Sequence, residues 1–102
     1  MTQVRTLSDL DATPHATVFP DAEPRTIRLA LDAGERVDPH SHPGRDVLIH
    51  VLDGAIDLHV DEETHALSGG DLTQFKGERE VSPVATEDSL ALVVLAPRAD
   101  EG

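Results

Sequence analysis

The sequence predicts an all-β domain, and three observations lead there. Apolar residues recur with a period of two through most of the chain, and helical spacing is hard to find. The alternating runs are short and follow one another about every ten residues. Glycine- and aspartate-bearing turn signals separate them. A chain of 102 residues has room for one domain and one core. A sandwich or barrel of short strands is therefore the expected architecture.

Taken in order, "ATVF" (16–19) is a weak first strand closed by Pro20. "TIRLALDAG" puts Ile27, Leu29 and Leu31 on one face, with Arg28 and Ala30 on the other. "VLIHVLDG" is nearly continuously apolar, as a strand covered on both faces would be. "AIDLHVD" alternates, with Ile56, Leu58 and Val60 inward and Asp57 and His59 outward. "LTQF" is a short strand, and "SLALVVLAP" is a long apolar one ended by Pro97. Turns are expected at "DAGE", "DG" (53–54), "DEE", "SGGD", "KGE" and "TEDS". One domain, 1–102, is expected, with 1–14 and 98–102 as loosely tied ends.

Composition excludes several function classes. Twenty acidic residues face eight basic ones, a net charge of −12. Such a field repels phosphate backbones, and with only Phe19 and Phe75 as aromatics there is no platform for stacking bases, so no nucleic-acid partner is expected. No run approaches the ~20 apolar residues of a membrane span, and no membrane partner is expected. The N-terminal stretch lacks the apolar core of a signal peptide. There is no cysteine, which rules out disulfides and thiolate zinc sites and fits a cytoplasmic setting. Dispersed acids, a single lysine (Lys76) and small apolar side chains resemble proteins of high-salt cytoplasms, where salt screens self-repulsion. A halophilic protein is the expectation.

The histidines carry what chemistry is legible. His40 and His42 are separated by one residue, between Pro39 and Pro43. In an extended chain they point to one face, so both imidazoles can reach one metal ion at about 2.0–2.2 Å. The alternative is a pair of exposed loop histidines held in a turning backbone by the prolines. His50 has the opposite parity to Val47, Ile49 and Val51 and should face away from the interior. His59 and His65 read as solvated positions, and Glu62 and Glu63 as turn acids. Asp38 either orients an imidazole or faces water, and Lys76 either faces the barrel mouth or is solvated. No serine lies in a nucleophile-elbow setting, and Gly69–Gly70 leads into a strand, so it is no phosphate loop.

These residues also carry a family resemblance. The run from Gly34 to Gly54 resembles the first motif of the cupins: Gly, five residues, His-x-His, a Glu after three or four more, then a closing Gly. "LSGGDLTQF" resembles the start of the second motif, and "LALVVLAPR" the last strand, so the likeness spans about residues 24–98. It implies a cupin-like double-stranded β-helix, a jelly-roll barrel of two antiparallel sheets. Two departures stand out. Where the motif has Glu, counting forward from His42 gives Asp46 and counting back from Gly54 gives Val47. These are opposite faces of a strand, so an inward Asp46 needs a bulge. Where the second motif has Pro-x-Gly-x-x-His, this chain has "FKGERE", with Glu80 in the histidine's place.

The resemblance thus implies a divalent metal, Zn, Fe, Mn or Ni, held by His40 and His42 with Glu80 and Asp46 as altered ligands. It implies a small-molecule ligand in a lining that includes Ile27, Leu29, Ile49, Val51 and Gln74, and a homodimer. Two functions remain open. One is an enzyme, a dioxygenase or isomerase, with Glu80 as third ligand or general base. The other is a non-catalytic binding or sensing cupin whose metal site has decayed.

Overall fold

The structure, a computed structural model, describes residues 2–98. The expected loose end at 99–102 lies outside the described residues. Among the described residues, eight strands follow one 3-10 turn at Leu7–Asp9. They are β1 (His15–Thr17), β2 (Arg25–Leu31), β3 (Arg45–Asp53), β4 (Ala55–Val60), β5 (Glu63–Ser68), β6 (Leu72–Lys76), β7 (Val81–Ala85) and β8 (Ser89–Pro97). All pairings are antiparallel, in a five-stranded sheet ordered β1-β2-β8-β3-β6 and a three-stranded sheet ordered β5-β4-β7. The expected two-sheet jelly roll is the fold observed.

The alternation read from the sequence becomes the core between the sheets. Leu29 and Leu31 of β2, Val47, Ile49 and Val51 of β3, and Ile56, Leu58 and Val60 of β4 are all buried in one cluster with Phe75, Val81, Ala91 and Leu95. At period two each strand gives one face to this cluster, which is the main source of its stability.

Asp53–Gly54 is a corner between sheets, since β3 and β4 lie in different ones. The register of β3 against β8 slips between Val51 and Asp53, and this bulge bends the strand toward the second sheet. Gly54 then turns with φ of 90°, and Ser89 clasps the corner through hydrogen bonds to Ala55 N and O. A Cβ on Gly54 would drive into the backbone of Asp88 and Ser89.

Two strands were not expected, β5 and β7. β7 contains Pro83, which argues against a strand in the middle of a sheet. β7 is instead an edge of its ladder, and its outer side takes the extended segment 34–42. Val37 N donates to Pro83 O, so only the proline's carbonyl is needed on that side. The N-terminal segment, read as loosely tied, runs across the outside of β2. There the buried Arg28 donates to Leu7 O (3.0 Å) and Ala12 O (2.7 Å).

A polar clasp closes the barrel end. The Glu78 carboxylate accepts from Gly44 N (2.8 Å) and pairs with Arg98, whose guanidinium also lies 3.9 Å from Asp46. The Gly44 hydrogen bond first, and Arg98 after it, hold the Glu78 carboxyl well below its ordinary value, at about 2.

Two predictions follow from these contacts. Gly54→Val combines a strained backbone, worth ~1–3 kcal/mol alone, with the collision at Asp88 and Ser89. Its urea midpoint should fall far below wild type, and an unchanged midpoint would contradict the corner. The depressed pKa of Glu78 means that its contribution is complete above pH 4.5 and is lost as pH falls toward 2. Glu78→Gln should therefore lower the melting temperature at neutral pH but flatten its fall across that acid window.

Candidate functional site

The site is built from the mouth end of the five-stranded sheet and the segment laid against β7. Residues 34–42 run antiparallel to β7, with bridges Arg36 to Val84 and His40 to Val81. His40 N donates to Val81 O (3.1 Å), and Val81 N donates to His40 O (2.8 Å). Past this pair the chain is gripped again, where His42 N donates to Gly77 O (2.6 Å) and Gly77 N to Arg45 O (2.7 Å). A side chain at 77 would collide with the His42 carbonyl, so the "KGE" glycine is there for close backbone approach.

Held this way, His40 and His42 face the same cavity. Their rings meet edge to face with centroids 4.8 Å apart. The His40 Nδ1 lies 2.8 Å from the Asp38 backbone carbonyl, which can only accept, so Nδ1 is the donor and Nε2 is the nitrogen turned to the lone-pair role in the neutral ring. Of the two readings of Asp38, the solvated one holds: its carboxylate is turned outward toward Arg36 at 3.7 Å. It is the backbone of Asp38 that orients the imidazole.

A third histidine joins them. His15, on β1, pairs with Leu29 and so shares the inward face of β2. It lines the same cavity, whose floor is Leu29, Val47, Ile49 and Val81 and whose volume is about 40 Å³. That is room for a few waters or one ion, since a single water needs roughly 10–15 Å³. Burial first, then the positive charge of nearby groups, pulls the proton affinity of His42 below the ordinary imidazole value; His40, Arg45, Arg25 and His15 are those groups. His15 is lowered by burial and by His40. Both are neutral at pH 7, the form that ligates metal or accepts hydrogen bonds.

The other two candidate ligands are not in this cavity. β3 pairs without interruption from Asp46 to Val51 against β8, so there is no bulge at Asp46. Val47 is fully buried and lines the cavity, while Asp46 is on the other face near Arg98. Glu80 is exposed, and its backbone is taken up by Asp61, through Asp61 N to Glu80 O (2.8 Å) and Glu80 N to Asp61 Oδ1 (2.9 Å). The residue opposite His40, hence on its face, is Val81. The inward residues next to the candidate ligands Asp46 and Glu80 are therefore both valines, Val47 and Val81. Among the described residues, no three His, Cys, Asp or Glu side chains form a metal-ligating group. The four-ligand set does not fit this chain.

Some other expectations also shift. Gln74 was placed in the lining, but it is exposed and pairs with Leu48 on the outer face. Val51 is buried in the core below the cavity. His50 faces outward between Leu72 and Leu92, as its parity required. Lys76 is exposed beside Asp46. His15 was missed because the first strand was read as starting one residue later, and alternation there marks Ala16, not His15, as the buried residue.

A two-sheet barrel with a His-x-His segment at its mouth defines a double-stranded β-helix protein. Residues 27–96 match the Cupin domain family, and the chain belongs to it. Among solved structures it is similar to KdgF from Halomonas sp., at 28% identity over 85% of this chain and 80% of that one, with a TM-score of 0.73. It is also similar to an HTH_3 family transcriptional regulator from Vibrio cholerae, at 25% identity, covering 83% of this chain and 51% of that one, with a TM-score of 0.71. An uncharacterized double-stranded β-helix protein from Klebsiella pneumoniae matches at 14% identity over 95% and 91% of the two chains, with a TM-score of 0.80. No functionally curated protein matches the chain.

Proposed function

We propose that this cupin is a non-catalytic binding module that takes a small molecule at its histidine-lined mouth. The observation that carries the reading is that Val47 and Val81 are the inward residues facing the histidines, while their neighbours Asp46 and Glu80, the candidate ligands, lie outside the cavity. With Glu80 exposed, the enzyme reading lacks its third ligand and its base. The likeness to a chain of which it spans about half, a transcriptional regulator, is compatible with a sensing role.

A divalent ion is a second element of the proposal. Two neighbouring imidazoles, one with its Nε2 kept free, suit an ion whose remaining positions water or ligand would complete. A metal bound there would supply Lewis acidity to a ligand oxygen. Two donors do not distinguish Zn, Fe, Mn or Ni, and they bind weakly and exchangeably. The acid surplus underlies the further proposal of a high-salt cytoplasm. Assembly as a homodimer is proposed through the outer face of β3, β6 and β8, which carries Leu48, His50, Leu72 and Leu92. No helix among the described residues is long and apolar enough to cross a membrane.

Elemental analysis of the untagged protein in high KCl tests the reading. Wild type should take up added Zn or Ni but lose it on dialysis against a chelator, and His40→Ala/His42→Ala should take up none. Near-stoichiometric metal retained through that dialysis would contradict a decayed site.

A further inference from the structure

The inward face of the five-stranded sheet does not end at the histidines. Continuing β2 outward by parity from Leu29 and Ile27 leads to Arg25. Continuing β3 outward from Ile49 and Val47 leads to Arg45. Both strands run antiparallel to β8, with Arg25 opposite Leu95 and Arg45 opposite Pro97, so the two arginines lie at the same end of the sheet. There they line a groove of about 520 Å³ with Thr17 and Phe19, walled by the segment that carries Asp21 and Glu23. That volume is in the range of small-ligand sites, ~300–1,000 Å³. The groove adjoins the histidine cavity, since Ile27 and Val47, two residues along the same faces of β2 and β3, line that cavity.

The use of arginine in this chain makes the placement informative. Of seven arginines, Arg28 is buried against carbonyls, Arg79 pairs with Asp61 and Glu63, Arg98 with Glu78 and Asp46, and Arg36 with Asp38. Arg45 holds Glu23 in a two-point fork, Nη1 to Oε1 at 3.0 Å and Nη2 to Oε2 at 3.2 Å, and also donates to Leu95 O. The Arg25 side chain makes no hydrogen bond among the described residues, although its charge is felt at Glu23. The groove thus already presents a guanidinium fork filled by a carboxylate from its own wall, with a second guanidinium beside it.

We propose that this groove binds a small carboxylate, which displaces Glu23 from Arg45 and is shared with Arg25, while its organic part lies against Phe19 and points toward His42. Exchanging one carboxylate for another on Arg45 leaves the hydrogen-bond count at the fork unchanged. Glu23 is half-exposed and returns to water when it is displaced. A charge of −12 repels anions elsewhere on the surface, so the two arginines confine binding to this groove. The proposal rests on the reading of the barrel as a ligand-binding module, but not on metal at the histidines.

The test uses butanoate and its neutral isostere butanamide, added to the full chain at constant ionic strength. Binding is read from the side-chain Nε–H resonances of Arg25 and Arg45 in proton–nitrogen spectra. Butanoate should shift both resonances saturably and butanamide should not. Arg25→Gln, which removes no hydrogen bond of the fold, should weaken butanoate about tenfold or more. Glu23→Gln should tighten it by freeing the fork. Equal shifts with the amide, no saturation, or unchanged affinity in either variant would overturn the proposal. In His40→Ala/His42→Ala, butanoate should still shift the arginines. Loss of metal there with retained butanoate separates this groove from the histidine cavity, and loss of both in a folded variant would contradict the independent groove.

Discussion

β3 is hydrogen-bonded along both edges, to β6 and to β8, and its side-chain parity is set by two ladders at once. A strand at the edge of a sheet can slip or bulge with one partner to satisfy, but a central strand must break two registers to turn a residue over. Asp46 therefore stays outside and Val47 inside, whatever a ligand would prefer. The slip that β3 does make, between Val51 and Asp53, comes at the far end, where it helps the chain cross into the second sheet at Gly54. The same logic holds across the barrel. The mutual hydrogen bonds of His40 and Val81 put these two side chains on one face and leave Glu80 on the other.

The mouth is consequently a place where donors are concentrated on one side. His15, His40 and His42 come from β1 and from the segment docked on β7, while β3 and β7 themselves present only hydrocarbon. Burial against that hydrocarbon, with neighbouring positive charge, keeps His42 and His15 neutral. The backbone carbonyl of Asp38 fixes which nitrogen of His40 is available. These features suit ligand recognition by neutral acceptors.

Much of this was legible in the residues. Alternation identified the inward faces of β2 and β4, and the outward parity of His50 held. The His-x-His spacing led to a shared face because both residues lie in extended chain. What was not legible turned on single-residue offsets. Glu80 and Val81 are adjacent, and motif spacing alone does not say which of them faces His40; that depends on the hydrogen-bonded bridge. Pro83 hid β7, because the free edge that tolerates it is visible only once the sheet order is known. His15 lay one residue beyond the assigned start of its strand. Gln74 was assigned inward, whereas Phe75 is the residue of β6 buried in the core.

The claim on which the account stands is that position 81, not position 80, faces the two histidines. The direct measurement is zinc affinity by competition with a chromophoric chelator, made on Val81→His and Glu80→His beside wild type. The account predicts a large gain for Val81→His, which adds a third imidazole to His40 and His42, and affinity near wild type for Glu80→His. A gain for Glu80→His with none for Val81→His would contradict it, and would return Glu80 to the site.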